Sequence, residues 1–307
     1  GLRDDALDRR RKPEVSNRDT MAARFERTAD VFHAQRFDAE ERTKTEALVG
    51  RRGPQEQDVN RQGLSVYTAR TLSDRAVPAA MMTTSALIAA YNEAPRIDEV
   101  VRGVRQHVDH VLVIDDGSTD GTDHVAVEAG AEVVRHPSNR GKGAAIRSGL
   151  AVIQERVFTH VLLLDGDLQH APGDAPRLLE AGRREGADLV LGQRPFDRAV
   201  TPRARYYTNT ISSWVISKWF IGQRVDDAQS GYRLIRTDAL RLLKLSARGY
   251  EIETEMLIKL ARRGARIARV PVSLHYRGEP SKLRPLRDTT KTCFLAVRYR
   301  FFPERFQ

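Results

Sequence analysis

Two carboxylates separated by one residue follow an apolar segment in the middle of this chain. Asp165 and Asp167 come directly after the run of Val and Leu at residues 161–164. In open α/β sheets, ligands lie outside the carboxyl ends of the strands. Carboxylate oxygens at that place are the hard ligands that suit Mg²⁺ or Mn²⁺ carried by a diphosphate. The pair indicates metal-assisted diphosphate chemistry, although an acidic pair in a solvated turn has the same spacing.

Polar residues also follow two earlier apolar segments. Tyr91 and Glu93 close the first, where an aromatic ring can stack on a base or ribose and a carboxylate can accept hydrogen bonds from them. Asn92, between them, would serve equally well as a helix cap. Asp116 and Gly117 close the second segment, where a carboxylate can accept from a base or a ribose hydroxyl and glycine allows a ligand to approach closely. A simple turn rich in Asp and Gly is the alternative.

Basic residues accompany the acidic ones. The segment 139–145 opens a helix, so its backbone N–H groups and Lys142 predict an anion site, or no more than a basic helix start. Arg194 follows a further apolar segment. Residues 226–233 offer two aspartates, a serine, a glycine and an arginine, and a buried structural ion pair would have the same composition. Three glutamates flank a later helix start, where acids favour the helix dipole: Glu251, Glu253 and Glu255.

Alternating strands and helices position these residues. The predicted strands cover residues 86–91, 111–114, 132–135, 160–164 and 188–191. The predicted helices cover residues 95–108, 121–129, 142–156 and 174–185. Strands that alternate with helices of this length predict βαβ units and a mostly parallel sheet. Because the motifs follow successive strands, such a sheet gathers them on one edge.

Composition limits the class of protein. The chain has 307 residues, and its net charge of +10 arises mainly after residue 80. An excess of this kind fits nucleic acid, an anionic membrane surface or phosphate-bearing substrates. The single cysteine, Cys293, excludes an internal disulfide, and no apolar run approaches the ~20 residues that span a bilayer. We therefore expect a protein that is not secreted but cytoplasmic, or peripheral on the inner face of the membrane.

Three regions differ in character. Residues 1–82 are rich in charged side chains and lack a strand pattern, which predicts a largely disordered extension or a mis-annotated upstream segment. Residues 83–278 form the predicted α/β domain, and residues 279–307 form a basic amphipathic C-terminal segment. The apolar positions of residues 206–221 and 286–302 predict amphipathic helices that lie on a membrane surface. Core packing or a dimer face would produce the same pattern.

Taken in order, the motifs resemble those of family 2 glycosyltransferases of the GT-A fold, within the dolichol-phosphate mannosyltransferase-like group. The resemblance covers about residues 84–285 and is carried by residues 90–93, 113–118, 139–143, 165–169, 192–194 and 230–233. It implies a single Rossmann-like α/β domain, the fold of nucleotide-diphospho-sugar transferases. The ordered set is specific for the superfamily and less specific for the polyprenyl-phosphate group.

The resemblance also implies roles for individual residues. The nucleotide sugar would be held by Ala90, Tyr91, Glu93, Asp116, Gly117, Lys142, Asp165, Gly166 and Arg194. A Mg²⁺ or Mn²⁺ ion would be held by Asp165, Asp167 and Gln169. The catalytic residues would be Asp167, Asp226, Asp227 and Arg233. The acceptor or its phosphate would be bound by Ser230, Gly231, Lys282 and Arg284.

These features predict an inverting, metal-dependent transfer of a hexose from GDP-mannose or a UDP-sugar to a polyprenyl phosphate at the membrane surface. A phosphate acceptor is already an anion, so Asp226 or Asp227 would only orient the sugar or the acceptor. With a hydroxyl acceptor of a glycan, lipid or small molecule, one of the two would be the general base. A basic nucleic-acid-binding protein is the non-enzymatic alternative, and no stacking motif or helix-turn-helix pattern supports it.

Overall fold

A seven-stranded sheet runs through the part of the chain that the computed structural model describes, residues 82–195, 203–222, 224–274 and 285–301. The strands are β1 (Thr84–Ala90), β2 (His110–Asp115), β3 (Glu132–Arg135), β4 (His160–Asp165), β5 (Leu189–Gln193), β6 (Arg233–Arg236) and β7 (Ile267–Pro271). The helices are α1 (Ala94–Arg105), α2 (Thr122–Glu128), α3 (Lys142–Gln154), α4 (Ala175–Glu185), α5 (Arg203–Ile216), α6 (Thr237–Arg241), α7 (Ile252–Arg262) and α8 (Pro285–Phe301). A 3₁₀ turn, Pro172–Asp174, precedes α4, and a π-helical turn, Ser217–Ile221, extends α5.

The sheet is mostly parallel, as predicted. Its strand order is β3-β2-β1-β4-β6-β5-β7. The pairs β2–β3, β1–β2, β1–β4 and β5–β7 are parallel, whereas β6 is antiparallel to both of its neighbours, β4 and β5. The α/β class predicted from the alternation of strands and helices is therefore confirmed.

Helices cover both faces of the sheet. Leu87 and Leu112 belong to one buried cluster with residues of α3 and α7, and Ile88 and Val113 belong to a second cluster with residues of α1 and α4. Successive side chains of a strand point to opposite faces. Strands that are buried on both faces are apolar throughout, which explains the uninterrupted apolar segments in the sequence.

β6 was not predicted as a strand. It begins inside residues 226–233, whose polar side chains indicated only a site loop. Arg233 pairs with Leu163 of β4 and with Leu191 of β5, so the start of β6 lies near the carboxyl ends of both strands. The residues just before β6 are thereby brought to the edge of the sheet where the other motifs end.

Some predictions concern residues outside the described ranges. Residues 1–81 of the predicted extension lie there, as do Lys282 and Arg284 of the predicted acceptor site. The two predicted amphipathic helices correspond to α5 with its π-helical turn and to α8. Within the described ranges, no helix has both the length and the apolar character needed to cross a membrane.

Candidate active site

The carboxyl ends of β1, β2 and β4 meet at one edge of the sheet. Ala90 pairs with Asp115, and Ala89 pairs with Asp165. The motifs that follow these three strands therefore lie side by side, as their order in the sequence predicted. Gly166, directly after β4, lies so close to Ala90 that a Cβ at this glycine would be 3.4 Å from the Ala90 Cβ.

Lys142 links two carboxylates at this edge. Its Nζ lies 2.6 Å from Oδ1 of Asp165 and 2.6 Å from Oε1 of Glu253. The ring of Tyr250 lies 5.4 Å from the same Nζ. Burial disfavours the ammonium, but the two carboxylates outweigh it and raise the pKa of Lys142. The start of α3 therefore carries a fixed positive charge to the end of β4.

The pKa values of Asp165 and Asp167 are shifted in opposite directions. Burial opposes ionisation of Asp165, but the Lys142 ammonium holds its pKa below the usual value. Burial, followed by the charge of Asp165, raises the pKa of Asp167 to about 6. When two neighbouring carboxylates repel each other and one resists ionisation, a cation bound between them offsets the repulsion.

The predicted metal ligands fit a shared protein–phosphate site. The backbone N–H of Gln169 donates to Oδ1 of Asp167 at 3.0 Å, which holds the turn after β4 in place. Within the described ranges, no group of three or more His, Cys, Asp or Glu side chains is placed to hold a metal ion. The predicted set adds one amide, Gln169, to two carboxylates. Mg²⁺ is commonly held by one or two carboxylates together with substrate phosphates, and these residues suit that mode.

The loop before β6 reaches the same carboxylate. A Cβ at Gly231 would lie 2.8 Å from Oδ2 of Asp165, so glycine lets the loop approach. Ser230 is fully buried, and its Oγ accepts a hydrogen bond from the N–H of Tyr232 at 3.3 Å. Gly231 therefore stands beside the predicted metal ligands, whereas the Ser230 hydroxyl is used inside the loop. A role of either in binding an acceptor stays a prediction.

Arg194 and Asp227 form a buried bidentate ion pair. The Nε–Oδ2 distance is 2.5 Å and the Nη2–Oδ1 distance is 2.9 Å, and Asp227 has no exposed surface. Asp226 lies at the surface and pairs with Arg224. The alternative considered for this motif, a structural ion pair, thus describes Asp227. Of the three aspartates predicted as catalytic, Asp226 and Asp227 are already paired with arginines.

The guanidinium of Arg233 is hydrogen-bonded to three backbone carbonyls inside the protein. It is fully buried and donates to the carbonyls of Ser230, Glu253 and Ala228 at 2.6, 2.5 and 2.8 Å. Burial lowers the pKa of Arg233 to about 10. The side chain joins the loop before β6 to the first turn of α7. Its predicted catalytic role stays a prediction.

Asp116 holds the loop that leads into α3. Its Oδ1 accepts from the N–H of Arg140 at 3.0 Å, and its Oδ2 accepts from the N–H of Gly141 at 2.7 Å. The N–H of Gly143 donates to the carbonyl of Arg248 at 2.9 Å. The protein itself uses the hydrogens of these three amides, so the predicted anion site would depend on Lys142, and it stays a prediction.

The loops after β1 and β2 are tied together. Tyr91 is 38% exposed, whereas Glu93 is buried and its carboxylate accepts from Arg96 at 2.7 Å. The Oδ1 of Asn92 accepts from the N–H of Thr119 at 2.9 Å. Asn92 therefore joins the two loops and makes no side-chain cap of α1. Tyr91 remains accessible for the stacking that the sequence predicted.

Contact between the loops after β2 and β3 explains the glycine at position 117. Gly117 has a φ of 77°, a conformation that side chains with a Cβ rarely adopt. A Cβ there would lie 2.6 Å from the carbonyl carbon of Ser138. Internal packing alone requires this glycine, and its approach to a nucleotide stays a prediction.

Glu253 is a site residue that the sequence did not single out. It was expected to favour the dipole of α7, but its Oε1 binds Lys142 and its Oε2 is buried without a hydrogen-bond partner among the described residues. The signal was the spacing of three glutamates two residues apart. On a helix, such positions alternate between opposite sides, so at least one carboxylate must face the sheet.

His170 is a second residue of this edge that was not predicted. It is 1% exposed, and its Nε2 lies 3.9 Å from Oδ2 of Asp165. Burial is the main cause that lowers its pKa to about 4, so the ring is neutral near pH 7. Its position directly after Gln169 was the available signal.

Comparison with known proteins agrees with this geometry. Residues 85–243 match the model of the family described as Glycosyl transferase family 2. The chain is similar to glycosyltransferase AglJ of Haloferax volcanii, with 38% identity over 66% of this chain and 67% of that protein. It is similar to the undecaprenyl-phosphate mannosyltransferase of Micrococcus luteus, with 34% identity over 62% of this chain and 83% of that protein. Among solved structures, it resembles glucosyl-3-phosphoglycerate synthase of Mycobacterium tuberculosis in complex with Mn²⁺, UDP and glucosyl-3-phosphoglycerate. That likeness has a TM-score of 0.57 and 26% identity, and it covers 72% of this chain and 80% of the other.

The chain therefore belongs to glycosyl transferase family 2. The matched residues run from β1 into the segment after α6, so they include both aspartates after β4 and the start of β6. The predicted class of enzyme, a nucleotide-sugar-dependent glycosyltransferase of GT-A type, is confirmed.

Proposed function

We propose that this glycosyltransferase transfers a hexose from a nucleotide-diphosphate sugar to a polyprenyl phosphate, with Mg²⁺ or Mn²⁺ and with inversion at the anomeric carbon. The observation that carries the proposal is the partly buried Lys142 ammonium held between Asp165 and Glu253, beside Asp167. A leaving diphosphate needs positive charge at a fixed place. The domain that performs this transfer would be residues 83–278.

The donor would lie along the edge formed by the ends of β1, β2 and β4. Tyr91 is exposed for stacking on the base or ribose. Asp165, Asp167 and Gln169 would hold the cation, which when bound supplies neutralisation of the diphosphate charge. Lys142 adds a charge that does not depend on the cation. The Mn²⁺ and UDP bound in the mycobacterial neighbour support a nucleotide diphosphate and a metal here.

The acceptor proposal follows from how Asp226 and Asp227 are paired. A hydroxyl acceptor needs a base, and a phosphate acceptor does not, because it is ionised near pH 7. Asp227 is fixed by two hydrogen bonds from Arg194, and Asp226 pairs with Arg224 at the surface. A single displacement by an acceptor phosphate asks neither aspartate to take a proton. The relatives named as undecaprenyl-phosphate mannosyltransferase and polyprenol monophosphomannose synthase support this acceptor.

A lipid acceptor lies in a membrane, so the enzyme needs a surface that contacts lipid. Helices α5 and α8 offer an apolar surface of this kind. Their exposed side chains, with those of the π-helical turn, are Tyr207, Ile211, Trp214, Trp219, Phe294, Val297 and Phe301. The rings of Trp219 and Phe301 lie 6.4 Å apart, so the two helical segments present one patch. Lys218, Arg298 and Arg300 lie on the same segments. Aromatic and basic side chains together suit an anionic lipid surface.

A small phosphorylated acceptor with a hydroxyl nucleophile is the second candidate. It is favoured by the likeness to glucosyl-3-phosphoglycerate synthase, which was solved with phosphoglyceric acid. In that case Asp227 would have to exchange its Arg194 contacts for the acceptor hydroxyl.

A transfer assay with two acceptors separates these candidates. Labelled GDP-mannose, UDP-glucose and UDP-N-acetylglucosamine are each offered with Mg²⁺ or Mn²⁺, once with a short polyprenyl phosphate and once with 3-phosphoglycerate. We expect label in the lipid, lost on removal of the metal and in Asp167→Ala. The matched control is Asp98→Asn, an exposed carboxylate on α1 that pairs with Arg102. Label in 3-phosphoglycerate alone would replace the proposal by the second candidate, and transfer without any metal would overturn its metal dependence.

A further inference from the structure

Three side chains behind the donor edge form a buried hydrogen-bonded row. His136 follows β3 and is 1% exposed. Its Nδ1 lies 2.7 Å from Oδ1 of Asp116, and its Nε2 lies 3.0 Å from Oγ of Ser148 on α3. Because a carboxylate only accepts, Nδ1 of His136 carries the proton in this contact. His136 thus gives the Asp116 carboxylate a fixed hydrogen-bond donor inside the protein.

The same carboxylate is used on its other side by the loop before α3. It accepts the N–H groups of Arg140 and Gly141, as described above. With His136, these make three donors on the two oxygens of Asp116. These contacts fix the orientation of the carboxylate and use three of its about four acceptor positions.

The loop that Asp116 holds determines where Lys142 begins α3. Gly141 is the residue before the helix, and its N–H is bound to Asp116 at 2.7 Å. The next residue is Lys142, whose Nζ is 2.6 Å from Asp165. A shift of the Asp116 carboxylate would move the backbone from which the ammonium reaches the diphosphate site.

We propose that His136 is a positioning residue: it orients Asp116 so that this carboxylate fixes the start of α3 and, through it, the Lys142 ammonium. Asp116 then acts on the donor indirectly, and Ser148 fixes the plane of the imidazole ring. The expected effect of His136 on the donor rests on the proposed function. Its expected effect on the loop before α3 does not depend on catalysis.

Three substitutions test the row. His136→Leu removes both ring nitrogens, and His136→Asn keeps an N–H donor near the place of Nδ1. Ser148→Ala removes only the contact to Nε2. The matched control is His110→Leu at the start of β2, because His110 also contacts a serine, Ser85, and a carboxylate, Glu132, but lies at the opposite edge of the sheet. Amide hydrogen exchange of residues 139–143 is measured beside KM for the nucleotide sugar and kcat.

We expect His136→Leu to speed exchange at Arg140 and Gly141 by about tenfold and to lower kcat by about tenfold, because a displaced Lys142 ammonium stabilises the leaving diphosphate less in the transition state. His136→Asn should restore both values, and His110→Leu should leave both unchanged. Unaltered exchange in His136→Leu, or an Asn variant as impaired as the Leu variant, would overturn the proposal.

Two further outcomes are decisive. If His136→Leu does not fold, Ser148→Ala is the deciding variant: faster exchange in residues 139–143 with a lower kcat supports the row, and unchanged values overturn it. If the unmodified enzyme transfers no sugar to any acceptor, the proposed function fails, while the exchange comparison still accepts or rejects the positioning role of His136.

Discussion

Under the proposed function, single residues at the donor edge would act through charge more than through backbone geometry. The amides before α3 are used inside the protein, and the positive charge comes from Lys142. The carboxylates after β4 could be located from sequence because they follow an apolar strand directly. The partner Glu253 could not, because only tertiary packing decides which of three glutamates turns toward the sheet.

Replacement of Lys142 tests this charge. In Lys142→Met, Asp165 and Glu253 lose their shared cation, and the two carboxylates then repel the diphosphate. We expect kcat/KM to fall by roughly 100-fold, the scale seen when one preorganised donor is removed. Steady-state kinetics measure it, with Lys244→Met as the control. A loss of less than about threefold would show that Lys142 does not face the leaving group.

At the scale of elements, β1 to β5 were predictable, whereas β6, β7 and the order of the strands in the sheet were not. β1, β2 and β4 are apolar runs, so their existence follows from composition alone. β6 has four residues and two arginines, which gave no strand signal. Its insertion between β4 and β5 depends on pairing between distant segments. The sequence therefore predicted the motif before β6, which includes Gly231, but did not predict where that motif lies in the fold.

The packing of α3 against the segment before α7 provides a prediction at this scale. A Cβ at Gly143 would lie 2.5 Å from the carbonyl oxygen of Ala247, which is backbone and cannot move away easily. We expect Gly143→Ala to lower the free energy of unfolding by about 1–3 kcal/mol, the usual cost of overpacking. Denaturant unfolding measures it. Gly173→Ala is the matched control, because nothing lies within 4 Å of its added Cβ. Equal stabilities of the two variants would contradict the packing described.

At the scale of the whole molecule, the described residues present a catalytic edge and an apolar patch on α5 and α8. The patch was predicted from amphipathic spacing, and the structure shows its side chains exposed. The sequence alone could not distinguish an exposed apolar patch from core packing, because the same spacing of apolar residues occurs in both.

Vesicle binding tests the patch. Trp214 is 59% exposed, so Trp214→Ser should leave the melting temperature unchanged. We expect its affinity for anionic phospholipid vesicles in co-sedimentation to fall by about tenfold, because the indole no longer enters the interface. Val157→Ser, at an exposed turn after α3, is the control. Unchanged binding by the Trp214 variant would show that this face does not contact lipid.

The stability of the folded chain should depend on acid through His160. Burial, and then the charge of Arg236, lowers the pKa of His160 to about 4 from the ordinary histidine value of about 6.5. The unfolded chain therefore binds more protons between these pH values, so the stabilisation is present above about pH 6.5 and is lost as pH falls toward about 4. The contribution is up to about 3 kcal/mol.

His160→Asn is expected to flatten this acid dependence in urea unfolding measured from pH 7 to pH 4. Part of the slope should remain, because the pKa of His170 is lowered in the same direction. His124→Asn, an exposed histidine on α2, should keep the full slope. A slope identical in the His160 variant and the unmodified protein would mean that His160 is accessible to protons in the folded state.

The late position of β6 along the chain also sets the order in which the molecule can fold. Ile235 pairs with Val161 and with Leu189, both far earlier in the chain, so β6 closes a gap between strands that must already stand near each other. Closing large loops is slow relative to local contacts. The edge formed by β1 and β2 can therefore be protected early, while Gly231 meets Asp165 only when the sheet is complete. In pulsed hydrogen exchange during refolding, the amides of β6 should become protected after those of β1, and the approach of Gly231 to Asp165 should be the last part of the candidate site to form.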